Sequence, residues 1–457
     1  MKLARREFLA AGGAAVAAGV AGACSREEAV QATAEEESRR SPARMPTPDG
    51  GDEWQWVRDE FALSQGTIHM SAMLVASHPR PVREAIERHR RGLDADPITY
   101  LEENNSPLKQ AARDAAGRYL GIDGSQIALT DSTTMGVGLV YNCLRLREGD
   151  EILSTDEGYY VTHESIRQAA ERSGATIRKI PLYDDIAQVS EDEIVGRIAK
   201  AIRPQTRVVA LTWVHSSTGL KLPVAQIAAA LEDVNSGRAD ADRILFCVDA
   251  VHGFGIETVS FPELGCDFYM TGCHKWLFGP RGTGIVAGTE RAWASTIPAI
   301  PSFIDDEVYA AWLTGGAPGP TSAAAMTPGG FKPFEHQWAM AEAFQFHEEI
   351  GRPQVARRTH ELAGRLKEGL SEMPHVALAT PLSPELSAGI VSFDVHGMPP
   401  ARAVGLLRER NIVGSVAPYA TPHVRLTPSV RNSPEEVDTV LAEIRAIGER
   451  VGLMRHG

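Results

Sequence analysis

The chain has 457 residues, 43% of them apolar and 23% charged, which is ordinary for a globular protein and long enough for more than one domain. Its 46 basic and 59 acidic residues leave a formal charge of −13, and no long basic run offsets that balance. This excludes a general nucleic-acid-binding role and leaves the substrate unspecified.

The first segment, residues 1–23, reads as an export signal. Arg5 and Arg6 precede Phe8, Leu9 and the uncharged run "AGGAAVAAGVAGA", which is too short to span a bilayer. The paired arginines resemble a twin-arginine signal, which predicts a periplasmic or otherwise exported protein that meets the twin-arginine machinery already folded. Cleavage fits after Ala23; lipidation of Cys24 is the lesser alternative, because Ala21 is smaller than such signals favour. Residues 24–53 are charged, bear Pro and Gly, and lack an apolar period, as expected of a flexible tether. The five cysteines, at 24, 143, 247, 266 and 273, form neither a zinc spacing nor a disulfide framework.

Folding is expected from about Trp54. "PVREAIERHRRGL" and "SPLKQAARDAAGRYLGI" predict helices, with Pro near each start and Gly near each end. "IALT", "DEILST", "TIRKIPL", "RVVALTWV", "RILFCVDAV" and "GIVAG" predict strands, several of them nearly continuous apolar runs suited to burial on both faces. Helical stretches such as "THESIRQAAERSG" separate them, so the expected fold is α/β: a mostly parallel sheet between helices. After residue 335, "EHQWAMAEAFQFHEEIG" reads as one long helix, followed by a smaller α+β unit. The expected boundaries are 54–78 for an N-terminal segment packing on the small domain, 79–331 for the large domain and 332–457 for the small one.

Ligand sites in open α/β sheets gather at the carboxyl ends of the strands. Three segments place reactive groups there. In "ALTDSTTMGVGLVYNCL" a strand ends at Thr130 and hydroxyl residues open a helix, a place that favours phosphate; the same residues are also ordinary N-caps. In "RILFCVDAVHGFG" the carboxylate of Asp249 emerges from a buried strand, with His252 three residues on. A buried carboxylate needs a cation or donors, although an Asp capping a turn is as common. In "TGCHKWLFGPRGTG", Lys275 stands between His274 and Trp276. Burial or a nearby cation makes lysine a nucleophile; otherwise its head lies in water. Together a phosphate cradle, a buried Asp and a Lys match the needs of pyridoxal 5′-phosphate.

"VDAVHGFG", "GCHKWLFGPRGTG", "TPGGFKPFEHQWA" and "VRLTPSVRNSPEEVD", in that order, resemble the class V aminotransferase family of fold-type I pyridoxal-phosphate enzymes, in its isopenicillin N epimerase-like branch. The resemblance implies that Lys275 forms the Schiff base, Asp249 pairs with the pyridinium nitrogen, and His252 lies near the cofactor's phenolic oxygen. It gives Thr133, Thr134 and His274 to the phosphate, Tyr160 (or Tyr159) to stacking on the ring, and Ser216 to its edge. Thr327 would reach the neighbouring subunit's phosphate, implying a homodimer with shared sites, and Arg425 would bind the substrate carboxylate. Gly272 departs from the pattern: many relatives carry Ser or Thr there, and Thr271 is the available substitute. "NIVGSVAPYATPH" lacks the cysteine that desulfurases of this family use, so persulfide chemistry is not expected. The implied activity is that of an exported enzyme, transaminase or epimerase in type, acting at the α-carbon of an amino acid or amino-acid moiety. A C–S lyase or decarboxylase on the same fold, or a non-catalytic exported binding protein, are the alternatives. No metal is called for.

Overall fold

The computed structural model describes residues 53–455; the expected signal and nearly all of the expected tether lie outside them. A two-residue strand β1 (Ile68–His69) precedes two helices, α1 (Arg80–Ala95) and α2 (Pro97–Leu120). The second begins nine residues before the expected start. Asp96 accepts from the backbone N–H of Thr99, Pro97 takes the first turn, and Gly121 closes the helix at φ 75. Pro107 is therefore interior, and it removes one backbone donor. Close by, the Asn104 amide donates to the carbonyl of Tyr100 at 2.8 Å.

The apolar runs form one seven-stranded sheet. Its strands are β2 (Ile127–Thr130), β3 (Glu151–Thr155), β4 (Thr176–Ile180), β5 (Thr206–Thr212), β6 (Leu245–Asp249), β7 (Phe268–Gly272) and β8 (Gly284–Gly288). They lie in the order β2-β8-β7-β6-β5-β3-β4, and β8 alone runs antiparallel to its neighbours. Between strands run α3 (Thr133–Cys143), α4 (Tyr160–Ser173), α5 (Glu191–Ala201) and α6 (Val224–Asn235). Alternate strand residues feed two separate cores. Leu129, Leu153, Val209 and Phe246 pack with α1, α2, α5 and α6 on one face. Ala128, Ile152, Val208 and Phe268 pack with α3 and α4 on the other. The period of two thus buries both faces, which makes the layers helix, sheet, helix.

Beyond the sheet, a short helix α7 (Asp306–Thr314) buries none of its residues. The long helix expected over 335–351 is broken. Phe334–Trp338 forms a short turn that ends at Ala339, whose ψ of 10 leaves the helical range, and α8 (Met340–Ile350) follows. At the break Trp338 is buried and stacks on Phe334, ring centroids 5.4 Å apart. The remaining helices α9 (Arg352–Ser371), α10 (Pro400–Glu409) and α11 (Pro434–Arg455) pack on a four-stranded antiparallel sheet. Its strands are β9 (Val376–Leu378), β10 (Val391–Val395), β12 (Ser415–Val416) and β13 (Val424–Leu426). A further short strand, β11 (Ile412–Val413), pairs in parallel with β1, while Trp54, Val57 and Phe61 pack among Phe278, Phe346 and Val430. Among the described residues no helix is long and apolar enough to cross a membrane.

Candidate active site

Five strand ends of the large sheet converge on one cavity of about 270 Å³, and β13 closes it from the smaller sheet. After β2, Ser132 caps α3 by accepting from the N–H of Met135 at 3.1 Å. That puts Thr133 and Thr134 in the first turn, where unpaired backbone donors and the helix dipole favour an anion. After β3 the chain turns into α4. Tyr159 is the N-cap residue and lines the cavity, whereas Tyr160, the first helical residue, points away and is 68% exposed. The expected Tyr160 is therefore corrected to Tyr159.

Thr212, at the end of β5, also lines the cavity, as does Ser216 just beyond it. The hydroxyl of Ser216 shares a 2.7 Å hydrogen bond with that of Tyr419, and its carbonyl accepts from Arg425 Nη1 at 2.7 Å. Arg425 is 2% exposed, and its other donors reach Ser415 Oγ and the carbonyl of Val416. All three partners are neutral, so a buried cation is held rigid without a countercharge. Such an arrangement favours an anionic ligand.

β6 ends on Asp249, 2% exposed, whose Oδ1 accepts from the N–H of Val251 at 3.2 Å. Burial pushes its carboxyl up to about 6, against the opposing pull of that backbone donor and of Lys275. Burial also holds His252 well below the ordinary histidine range, helped by the charges of Lys275, Arg425 and His274, so the ring is neutral. Its Nδ1 accepts from the indole N–H of Trp276 at 3.4 Å, which leaves the hydrogen on Nε2, 3.5 Å from Lys275 Nζ. Burial brings the lysine itself down to about 8; Asp249 opposes the shift and Arg425 adds to it.

The turn that carries Lys275 is tightly specified. Cys273 N–H bonds Thr283 O, and Phe278 N–H bonds Lys275 O at 3.0 Å. Phe278 sits at φ 58, a left-handed conformation that costs a bulky residue on the order of 1 kcal/mol. It is held there by burial among Phe61 and His347. Gly272, where a hydroxyl was expected, has no room for one. A Cβ there would stand 2.8 Å from Thr133 Oγ1 and 2.9 Å from the His274 ring. Thr271 does not supply the missing group either, because its hydroxyl is buried against the carbonyl of Gly272.

Thr133 Oγ1 and His274 Nδ1 are buried polar atoms without a hydrogen-bond partner, side by side beneath Gly272. Burial keeps His274 neutral, its ring brought down to about 4. Two orphaned groups at a helix N-terminus fit a phosphate, Asp249 fits a protonated ring nitrogen, and Lys275 fits an aldehyde. The residues present thus suit pyridoxal 5′-phosphate. Thr327 stands apart from the cavity, 3% exposed. Its hydroxyl accepts from Leu129 N–H and donates to Ala323 O, pinning its own segment to β2. Sequence reasoning missed Thr212, Met73, Leu74 and Pro418. Only Thr212 carried a readable signal, as the polar end of an apolar strand. The described cysteines, 143, 247, 266 and 273, are all buried and burial pushes each thiol up, so none is poised as a nucleophile.

Comparison with known proteins gives the family and the fold. The Aminotransferase class-V profile matches residues 78–419. An isopenicillin N epimerase of Streptomyces clavuligerus is 28% identical over 408 residues, covering 86% of this chain and 98% of that one. Another, from Amycolatopsis lactamdurans, is 26% identical over 368 residues, 74% of this chain and 84% of its own. A probable cysteine desulfurase of Halalkalibacterium halodurans is 27% identical over 361 residues, 75% of this chain and 81% of its own. Among solved structures, a C-DES mutant with glycine covalently linked to its PLP cofactor superposes with a TM-score of 0.75 at 22% identity, covering 85% of this chain and 98% of that one. The fold is that of fold-type I, and the chain belongs to the class V aminotransferase family of pyridoxal-phosphate-dependent enzymes.

Proposed function

We propose that the enzyme moves a proton at the α-carbon of an amino acid or amino-acid moiety, in the manner of an epimerase or a transaminase. The observation that carries this is the state of Lys275: a buried amine brought to about 8, its Nζ facing the Nε2–H of a neutral histidine. Such an amine takes up and returns protons near neutral pH. When bound, pyridoxal phosphate supplies an electron sink that acidifies the substrate's Cα–H. Thr133 and His274 would hold its phosphate, and Asp249 its ring nitrogen. Arg425 would hold the substrate carboxylate in a fixed fork, and so present one bond of Cα to Lys275. The epimerase relatives support this reading, as does the absence of cysteine from the segment 411–423, which reaches the cavity through Pro418.

Borohydride reduction should fix the cofactor on the peptide carrying Lys275. Incubation of the holoenzyme with L- and D-amino acids in deuterium oxide should exchange the α-hydrogen. Chiral analysis then separates epimerisation from transamination. If no amino acid of either hand exchanges, the proposal is wrong.

We also propose a homodimer exported by the twin-arginine route. Supporting the dimer, residues 297–331 expose Ile297, Phe303, Tyr309, Trp312, Leu313 and Phe331, an apolar surface that a second copy would cover. Trp312→Asp should shift the protein to a monomer in light scattering. Supporting export is the Arg5-Arg6 signal; Lys at both positions should retain the protein in the cytoplasm.

A further inference from the structure

Ser216 lies in a tight loop after β5, in which His215 N–H bonds Leu220 O and Gly219 N–H bonds His215 O, each at 2.8 Å. Two residues of the chain around β13 grip it at both ends. Its carbonyl accepts from Arg425 Nη1, and its hydroxyl meets that of Tyr419 at 2.7 Å. Tyr419 is itself fastened. Its N–H bonds Ala417 O at 3.0 Å, Ala417 N–H bonds His423 O at 2.9 Å, and its ring lies 6.1 Å from that of Tyr159. All of these groups belong to one copy, whatever a second copy adds at the mouth.

The hydroxyl pair has a direction. Burial pushes the Tyr419 phenol up to about 12, against the pull of Ser216 and of the Arg425 charge, so it stays protonated near neutral pH. A phenol is a stronger donor than an alcohol, and neither hydroxyl has another partner among the described residues. Tyr419 therefore donates and Ser216 Oγ accepts. The hydrogen of Ser216 is left without a protein acceptor, on a side chain that lines the cavity. Hydrogen bonds in a chain reinforce one another, so this hydrogen is a better donor than that of an isolated serine. Of the cofactor's polar groups, the phosphate, ring nitrogen and aldehyde are matched by Thr133 with His274, by Asp249 and by Lys275. The phenolic oxygen is the acceptor left.

We infer that Tyr419 is a positioning residue, which turns the Ser216 hydroxyl toward the phenolic oxygen of pyridoxal phosphate and strengthens the bond given there. The consequence is electronic. The imine nitrogen at Lys275 shares its proton with the phenolic oxygen, so that oxygen gains negative charge when the proton leaves. A donor at the oxygen favours the deprotonated imine and lowers the pH at which the proton is lost.

The test titrates the visible absorbance of the resting holoenzyme against pH in wild type, Tyr419→Phe, Ser216→Ala and the double variant. No substrate is added, so the outcome is independent of the α-carbon reading. Tyr419→Phe keeps the ring that faces Tyr159. The other titratable groups of the cavity, Tyr159, Asp249, His252, His274, Lys275 and Arg425, are present in all four proteins. Ser216→Ala should raise the midpoint by about one to two pH units, the worth of one hydrogen bond to a charged group. Tyr419→Phe should raise it by about half a unit to one unit, and by nothing further once Ser216 is Ala. An unmoved or lowered midpoint in Tyr419→Phe overturns the inference. So does an equal shift in both backgrounds, which would make Tyr419 a packing residue only.

Discussion

Gly272→Ser restores the hydroxyl that many relatives carry, and here it should damage the site it serves elsewhere. The backbone of Gly272 is ordinary strand, so the cost is one of space alone. The new Cβ meets Thr133 Oγ1 at 2.8 Å and the His274 ring at 2.9 and 3.1 Å, so it fits only if these two side chains turn away from the positions in which they face the cavity. Turning Thr133 off its rotamer costs about 1 kcal/mol, and removing one donor from a phosphate costs a further 1.5–3 kcal/mol or so. The sum, roughly 2.5–4 kcal/mol, corresponds to about a 60- to 1000-fold loss of affinity for pyridoxal phosphate. Titration of the apoprotein by absorbance measures it. Combining the change with Thr133→Ala removes the nearest clash, so the two losses should be clearly less than additive. Wild-type affinity in Gly272→Ser, or strict additivity in the double variant, would refute the steric account.

The protonation of Lys275 gives a second test, in the apoprotein. Its folded value of about 8 lies below its ordinary 10.5, so folding is penalised below pH 8 and the penalty is relieved as pH rises from 8 to 10.5. Lys275→Met should therefore stabilise the apoprotein at pH 7, on the order of 2 kcal/mol by urea denaturation once solvent at the opening is allowed for, and by little at pH 10.5. A gap independent of pH counts against the burial. Tyr159→Ala should weaken cofactor binding up to about tenfold, while Tyr160→Ala changes it less than twofold; the reverse order would restore the sequence-based choice. Arg425→Lys should leave cofactor binding intact. It should also weaken amino acids about tenfold or more relative to amines lacking the carboxylate, because a point charge cannot replace a fork held by three backbone and hydroxyl contacts.

The sheet was legible because burial on both faces writes strands as apolar runs, and Lys275 and Asp249 because each ends or follows one. β7 was less visible: Phe268–Gly272 passes directly into the lysine's turn, with no break in composition between them. Pro107 misled by looking like a helix start, where Asp96 and Pro97 supply a better one. Tyr159 and Tyr160 differ by a single residue at a helix N-terminus. A local pattern does not fix which of two adjacent side chains turns inward. Gly272 drew attention in the sequence as a missing hydroxyl. Its reason is three-dimensional, since residues 133 and 274, far apart along the chain, reach the same few ångströms.

The indole of Trp276 has a consequence for where protons can travel. It donates to His252 Nδ1 and has no acceptor of its own, so the imidazole can pass nothing onward through that atom. His252 meets Lys275 with one fixed hydrogen and offers no conduit beyond it. A hydrogen lifted from substrate onto the amine is thereby fenced off from bulk water on that side. Its return to carbon competes only with leakage through the cavity mouth. Label carried at Cα should then survive a turnover in part, and Trp276→Phe, which frees Nδ1 to accept from water, should lower the fraction retained.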